Sequence, residues 1–492
     1  MIERSKLSDH KFEKGRLITP FNYELKDLLQ EEPWYYRRMP EYLWLGLIIN
    51  DGERTTQIQK CFRIIKYLND LDKDINLLQM STILTLSNEE QNKFYTFLEE
   101  LQVVKSLRPL SLVVPSDSLN LLKVIKGYNI SIEKRIEKLN NILGYLSDHQ
   151  SNLSTDVRFL VLNKFLVAGK LQVAHDNVFS QTMSQYALVS HETPEMKLYR
   201  PTIRSAEIGI SAGLNDKNSI DIRFVKTFWK KISLLTDCEV FYMNIENPAN
   251  ESGDLEKHKE YIYEVLNYYT KLLIETRPLD NKMLVLLGIF TFSYKRLIEL
   301  VDHNLENTIS GRTIMRSITE SYMMTKYLLL EEPNHKDIWG EYQDYGIGQY
   351  KLIYGRYAEE NPEVEGSHVP FEYINNLVSE FKNEEFINID TKYFGSGNIR
   401  NKFKEIGEEN LWKYYYDYDS IYEHGLWGAI RESSILKCSA PGHQYHGVPD
   451  IENIQKLPSV ALDCMMIMNR HIKLLEKEYG LPENFKEEEH DE

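Results

Sequence analysis

The chain has 492 residues, 42% hydrophobic and 27% charged, which is too long for one ordinary hydrophobic core and too apolar for a disordered polymer. With 24 Gly and 16 Pro it is neither collagen-like nor of low complexity. A formal net charge of -16 argues against a general binder of phosphate backbones, and that charge is uneven: residues 1–250 hold 32 Lys+Arg against 31 Asp+Glu, the remainder 26 against 43.

Helical periodicity runs through the chain. Pro40-Glu41 is expected to open an apolar helix, with proline where a first turn tolerates it. Thr55 to Leu68 follows as an amphipathic helix with Ile58, Cys61, Phe62, Ile65 and Leu68 on one side. Glu89–Val104, Ile130–Leu146 and Thr155–Leu171 continue the pattern. Leu110 to Val114 is the best strand candidate, and Thr193-Pro194-Glu195 reads as a capped helix start. Met283 to Phe292 is the most apolar run and predicts a buried helix, because a span needs roughly 20 such residues.

The polar stretch Asn244 to Asp254 coincides with the change in charge balance. The expected fold is therefore mainly α, with two helical domains joined by a polar linker. A neutral N-terminal domain covers 1–243, the linker 244–254, an acidic C-terminal domain 255–478, and an acidic tail 479–492. The charged N-terminus and the absence of an apolar span point to a cytoplasmic protein without a membrane partner.

The acidic half carries the polar residues best placed for chemistry. Arg312, Arg316 and Glu320 follow at intervals of four and share one helix face. The simpler reading is an ion pair on a solvated face, worth a few tenths of a kcal/mol. The functional reading is a buried polar row lining a cleft. In the tyrosine-rich stretch Trp412 to Gly425, Ser420 and His424 lie one helical turn apart, and histidine titrates in the range that proton transfer requires. A packed aromatic layer with a core histidine is the alternative reading of that stretch.

Together, the Arg312…Arg316…Glu320 helix, Ile399-Arg400 after Gly395-Ser396-Gly397, and the Tyr-rich Ser420-x-x-x-His424-Gly425 helix resemble a bacterial all-helical domain family of unknown function. The resemblance spans Leu255 to Glu476. It implies an α-helical domain with Arg316, Glu320, Arg400, Ser420 and His424 as its marked polar positions. It also implies an antiphage or abortive-infection setting.

On these grounds the chain is expected to act in antiviral defence or stress. If it is an enzyme, it hydrolyses a phosphodiester such as RNA without a metal. His424 is then the acid or base, Arg316 and Arg400 bind phosphate, and Glu320 orients one of them. The alternative is a non-catalytic sensor or scaffold that binds a phage protein, a partner subunit or a second copy of itself. The Arg-x(4–6)-His spacing of helical ribonucleases occurs at Arg4–His10 and Arg296–His303, no more often than chance supplies. Lys123, Lys126, Lys134, Arg135 and Lys138, with Tyr128, form a modest basic cluster that reads first as a solvated face.

No phosphate loop, dinucleotide fingerprint or zincin motif is present, so no cofactor is expected. Cys61, Cys238, Cys438 and Cys464 form no C-x-x-C pair and read as free thiols. Cys438, His443 and His446 fall within nine residues, but no fourth ligand is evident nearby, so no metal site is assigned.

Overall fold

The computed structural model describes residues 6–24, 34–72, 77–126, 130–173, 177–214, 222–242, 253–360, 367–395 and 397–485. Most of the expected linker 244–254 therefore lies outside the described residues, as do Arg4, Tyr128, Ser396, residues 361–366 and the tail beyond Phe485. The fold is mainly α. No helix among the described residues is long and apolar enough to cross a membrane.

The chain forms two compact units. The first comprises Met1–Phe241 with Lys437–Gly447, and the second Tyr242–Leu436 with Val448–Glu492. The segment Lys437–Gly447, expected in the C-terminal domain, packs with the first unit instead, because its short strand pairs there.

The first unit opens with a hairpin of β1 (Lys11–Glu13) and β2 (Arg16–Ile18), in which Phe12 faces Leu17. Its turn places Lys14 and Gly15 at positive φ, as tight hairpins require. The core is built on α1 (Met39–Ile49), which follows a π-helical turn over Trp34–Arg38 and is buried on every side. A helix apolar all round belongs inside a bundle. Around it pack α2 (Arg54–Leu71), α3 (Ile132–Ser147) and α4 (Asn152–Val167), with α5 (Met196–Leu214) against α4, and α6 (Ile222–Ser233) against α1. Buried Ile58, Cys61, Ile65 and Leu68 confirm the expected face of α2, to which Ile64 is added. The strand expected over Leu110–Val114 is a 3-10 turn at Arg108–Leu112, where Pro109 cannot serve a ladder. The helix expected from Pro194 begins at Met196.

Helix α4 buries charge as well as apolar surface. Asp156 is 3% exposed and accepts from Arg54 Nη2 at 2.9 Å, the Tyr186 hydroxyl at 2.8 Å and His191 Nε2 at 3.1 Å. Arg158 faces the fully buried Glu207 of α5 at 3.7 Å, and Arg38 also pairs with Glu207. Ser151 caps α4, its hydroxyl accepting the Ser154 amide at 3.0 Å. Replacing Ser151 with Ala should lower unfolding stability by about 1 kcal/mol, read as a shift of the urea midpoint at constant slope. An unchanged midpoint would show that the cap contributes nothing.

A small sheet has the order β3 (Val240–Phe241), β4 (Ile435–Cys438), β5 (Gly447–Pro449). Strands β3 and β4 are antiparallel, Val240 opposite Cys438 and Phe241 opposite Lys437.

The second unit begins with an antiparallel succession of α7 (Gly253–Thr276), α8 (Lys282–Asp302) and α9 (Ile309–Glu331), each packed on the next. Gly253 and Asp254, expected in the linker, already belong to α7. The apolar Met283–Phe292 run lies within α8, burying Met283, Val285, Leu286, Leu287 and Phe290. Then come α10 (Ile338–Glu360), α11 (Phe371–Phe381), α12 (Ile399–Glu405), α13 (Asp417–Glu423) and α14 (Ala461–Tyr479). Helix α9 is central, with α13 and α14 packed against it.

Candidate functional site

Helix α9 starts at an N-cap, Thr308, whose hydroxyl accepts the Gly311 amide at 3.1 Å. From there the four-residue spacing carries Arg312, Arg316 and Glu320 up one side. The facing strip is a π-helical turn over Trp412–Tyr416 that runs directly into α13. Such a turn admits an extra residue and re-aims the side chains after it. Here Tyr416 and Ser420 reach Arg316.

Arg316 donates from Nη2 to the Tyr416 hydroxyl at 2.8 Å and from Nε to Ser420 Oγ at 3.2 Å. Its guanidinium also stacks on the Tyr416 ring, 4.9 Å from the centroid. Glu320 lies 3.9 Å from Arg316 Nη2, at the edge of an ion pair, and is held chiefly by tyrosines. Tyr416 donates to its Oε2 at 3.2 Å and Tyr393 to its Oε1 at 2.8 Å. Tyr416 thus relays between the cation and the carboxylate. Burial, followed by the nearby Glu320 carboxylate, pushes the Tyr416 hydroxyl up to about 12, with Arg316 opposing. The same two causes push Tyr393 well above the usual phenol range, so both remain proton donors.

The structure therefore brings together Arg316, Glu320 and Ser420 and leaves two predicted residues apart. His424 is the exposed C-cap residue of α13, and its imidazole makes no hydrogen bond to Ser420. Ser420 instead donates to the Tyr416 carbonyl at 2.6 Å, so it has no base to activate it. Arg400 is exposed and stacks on Trp412 at 4.7 Å, outside the Arg316 network. Arg312 is buried, donates to the Pro458 carbonyl at 2.6 Å and lies 5.9 Å from the ring centroids of both Tyr418 and Tyr422.

Sequence reasoning missed Tyr393, Tyr416 and Asp419. Asp419 lies on the buried side of α13, and burial pushes its carboxyl up to about 7. Asp463 adds to that rise, while Arg312 and Arg316 oppose it. Asp419 is thus a buried acid one position before Ser420.

Glu320 also lines an open cleft of about 800 Å³ between α8, α9 and α10. Its walls are Leu284, Ile289, Phe292, Met324, Ile347 and Phe381 with Tyr342, Tyr345, Tyr350 and Tyr393, and Glu320 is the only charged side chain among the described residues lining it. Gly288 and Gly346 leave open space on the wall. A second cleft of about 730 Å³ shares Leu284, Gln343, Ile347 and Phe381 with the first. Asp337, Glu341, Asp344 and Glu380 line it against a single cation, Lys382, which pairs with Asp344 at 2.7 Å.

Residues 284–443 match a family of unknown function, DUF5677. No curated protein and no solved structure matches the chain. The DUF5677 segment covers about a third of the sequence and takes in nearly all of α8 through α13, hence the whole Arg316–Tyr416–Glu320 network and every residue lining the two clefts except Asn281. It also contains Cys438 and His443, which the structure places in the first unit.

Proposed function

We propose that the second unit is a non-catalytic recognition module that takes a basic, partly apolar segment of a protein partner. The observation that carries this reading is the continuity of the two clefts. A tyrosine-lined apolar groove with Glu320 on its wall opens into a groove edged by four acids. A lysine or arginine side chain in the first groove would meet a carboxylate and tyrosine faces, both of which favour a cation. Further basic residues would meet the second groove, and the excess of acid in residues 251–492 would steer such a partner.

A phosphodiester substrate finds less support. It would approach acidic walls, and the histidine and second arginine assigned to hydrolysis are not joined to the network. Antiviral defence or a stress response remains the proposed setting on the resemblance alone.

The test uses fluorescent peptides alternating Lys or Arg with apolar residues, titrated against the full chain. Glu320→Gln should weaken binding tenfold or more, since it leaves the cation without its counter-charge. Gly288→Leu should block the groove while improving α8, because glycine disfavours a helix interior by about 1 kcal/mol. The proposal fails if no such peptide binds, or if binding survives both substitutions. Loss of ribonuclease activity on His424→Ala at unchanged melting temperature would instead establish the hydrolase.

A further inference from the structure

We infer that Cys238, Cys438, His443 and His446 form a tetrahedral zinc site within the first unit. Cys438, His443 and His446 are close in sequence, but Cys238 lies 200 residues before Cys438, which is why no local spacing reveals the full set. The antiparallel pairing of Val240 with Cys438, and the Ser439 amide donating to the Glu239 carbonyl at 2.8 Å, bring the two stretches side by side. The chain then turns back through Pro441–His443, with Gln444 and Tyr445 at positive φ, and the Cys438 amide donates to the His446 carbonyl at 2.9 Å. That tight return sets both imidazoles beside the thiols.

One ligand atom from each residue lies within 4.8 Å of all the others. Cys238 Sγ is 3.7 Å from Cys438 Sγ and 3.3 Å from His446 Nε2, and Cys438 Sγ is 3.8 Å from His443 Nδ1. Zinc–sulfur and zinc–nitrogen bonds of usual length imply tetrahedral edges of about 3.8 Å between sulfurs and about 3.5 Å between sulfur and nitrogen. The separations suit a metal at the centre and are too long for a disulfide, whose sulfurs lie about 2 Å apart. Two sulfurs and two nitrogens in this arrangement select zinc over hard cations.

The surroundings support ligation. His443 donates from Nε2 to the Ser233 carbonyl at 2.9 Å, which fixes the tautomer with Nδ1 free to bind metal. The Ala440 amide points to Cys438 Sγ at 3.4 Å, as amides do toward metal-bound thiolates. Gly442 packs where a Cβ would lie 2.3 Å from Thr236 Oγ1, and the Ser147 and Tyr445 hydroxyls bond at 2.7 Å. Four ligands and no open position make the site structural: it clamps Lys437–Gly447 onto the first unit.

The full chain, purified under reducing conditions without chelator, should contain about one zinc per molecule by elemental mass spectrometry. Cobalt(II) added to the chelator-treated chain should give the thiolate charge-transfer band and the intense visible absorption of a tetrahedral centre. Cys238→Ser, at an exposed ligand, should fold and lose both signatures at equimolar metal. Cys61→Ala should keep them. Zinc below a tenth of an equivalent together with no cobalt spectrum in the wild type overturns the proposal. So does a Cys238–Cys438 disulfide found by mass spectrometry in protein prepared without oxidant.

Discussion

Substitution of Asp156 by Ala should destabilise the first unit by about 3–5 kcal/mol, the loss that follows when one partner of a buried charge pair is removed. The carboxylate ties α2 to α4 through Arg54, whose Nε and Nη2 both reach it, and it also receives the Tyr186 hydroxyl and His191. Arg54 retains the carbonyls of Val189 and Tyr186, at 2.9 and 3.1 Å, but loses its counter-charge where it is only 17% exposed. Tyr186 is fully buried, so its hydroxyl would lose this acceptor out of reach of solvent. Asn at the same position keeps an acceptor and should cost less, about 1–3 kcal/mol. Because the chain has two units, global melting can mix two transitions. Amide hydrogen exchange in α2 and α4 reads the correct one. A loss below about 1 kcal/mol in those helices would show that the network contributes little.

The second large effect is a dependence on pH centred on Asp419. The folded state holds this proton more tightly than the unfolded chain, whose aspartates titrate near 4. A carboxyl raised on folding costs nothing below the unfolded value, where both states are protonated. As pH climbs from about 4 to about 7 the unfolded chain gives up this proton while the folded state keeps it, so stability declines by up to about 4 kcal/mol from this group and levels off once the folded carboxyl also ionises. The Asn variant resembles the protonated acid. Asp419→Asn should therefore match the parent near pH 4 and exceed it in stability at pH 8. Parallel stability curves for the two proteins would mean that Asp419 stays an anion, compensated by Arg312 and Arg316, and the prediction would fail.

The helical fold was legible because most helices are amphipathic, as α2 shows. Where a helix is buried all round, the pattern vanishes, and with it any sign of which polar residues are paired. Asp156, Arg158 and Lys164 on α4 are examples: in sequence they look like breaks in an apolar stripe. In the second unit the four-residue spacing did place Arg316 and Glu320 on one helix, and the structure adds Ser420 to them. Their real partners are tyrosines 73 to 100 residues away, which composition presents as packing material. The Ser420–His424 pairing fails for a local reason. Ser420 Oγ turns back onto the Tyr416 carbonyl at 2.6 Å, and His424, which caps α13 just before the turn at Gly425, φ 55°, is exposed. Cys238 was invisible as a ligand because strand pairing, not spacing, brings it to Cys438.

The division of the chain also bears on the order in which it is made. The first unit is completed by Lys437–Gly447 and the second by Val448–Glu492, which includes the α14 that packs on α9. At ordinary translation rates the 200 residues between Cys238 and Cys438 take about 10 to 40 seconds to synthesise. Through that interval a nascent first unit carries the edge of β3 without its partner strand. The first unit therefore lacks this segment until Gly447 has been made, and a ribosome halted before Lys437 leaves neither unit whole.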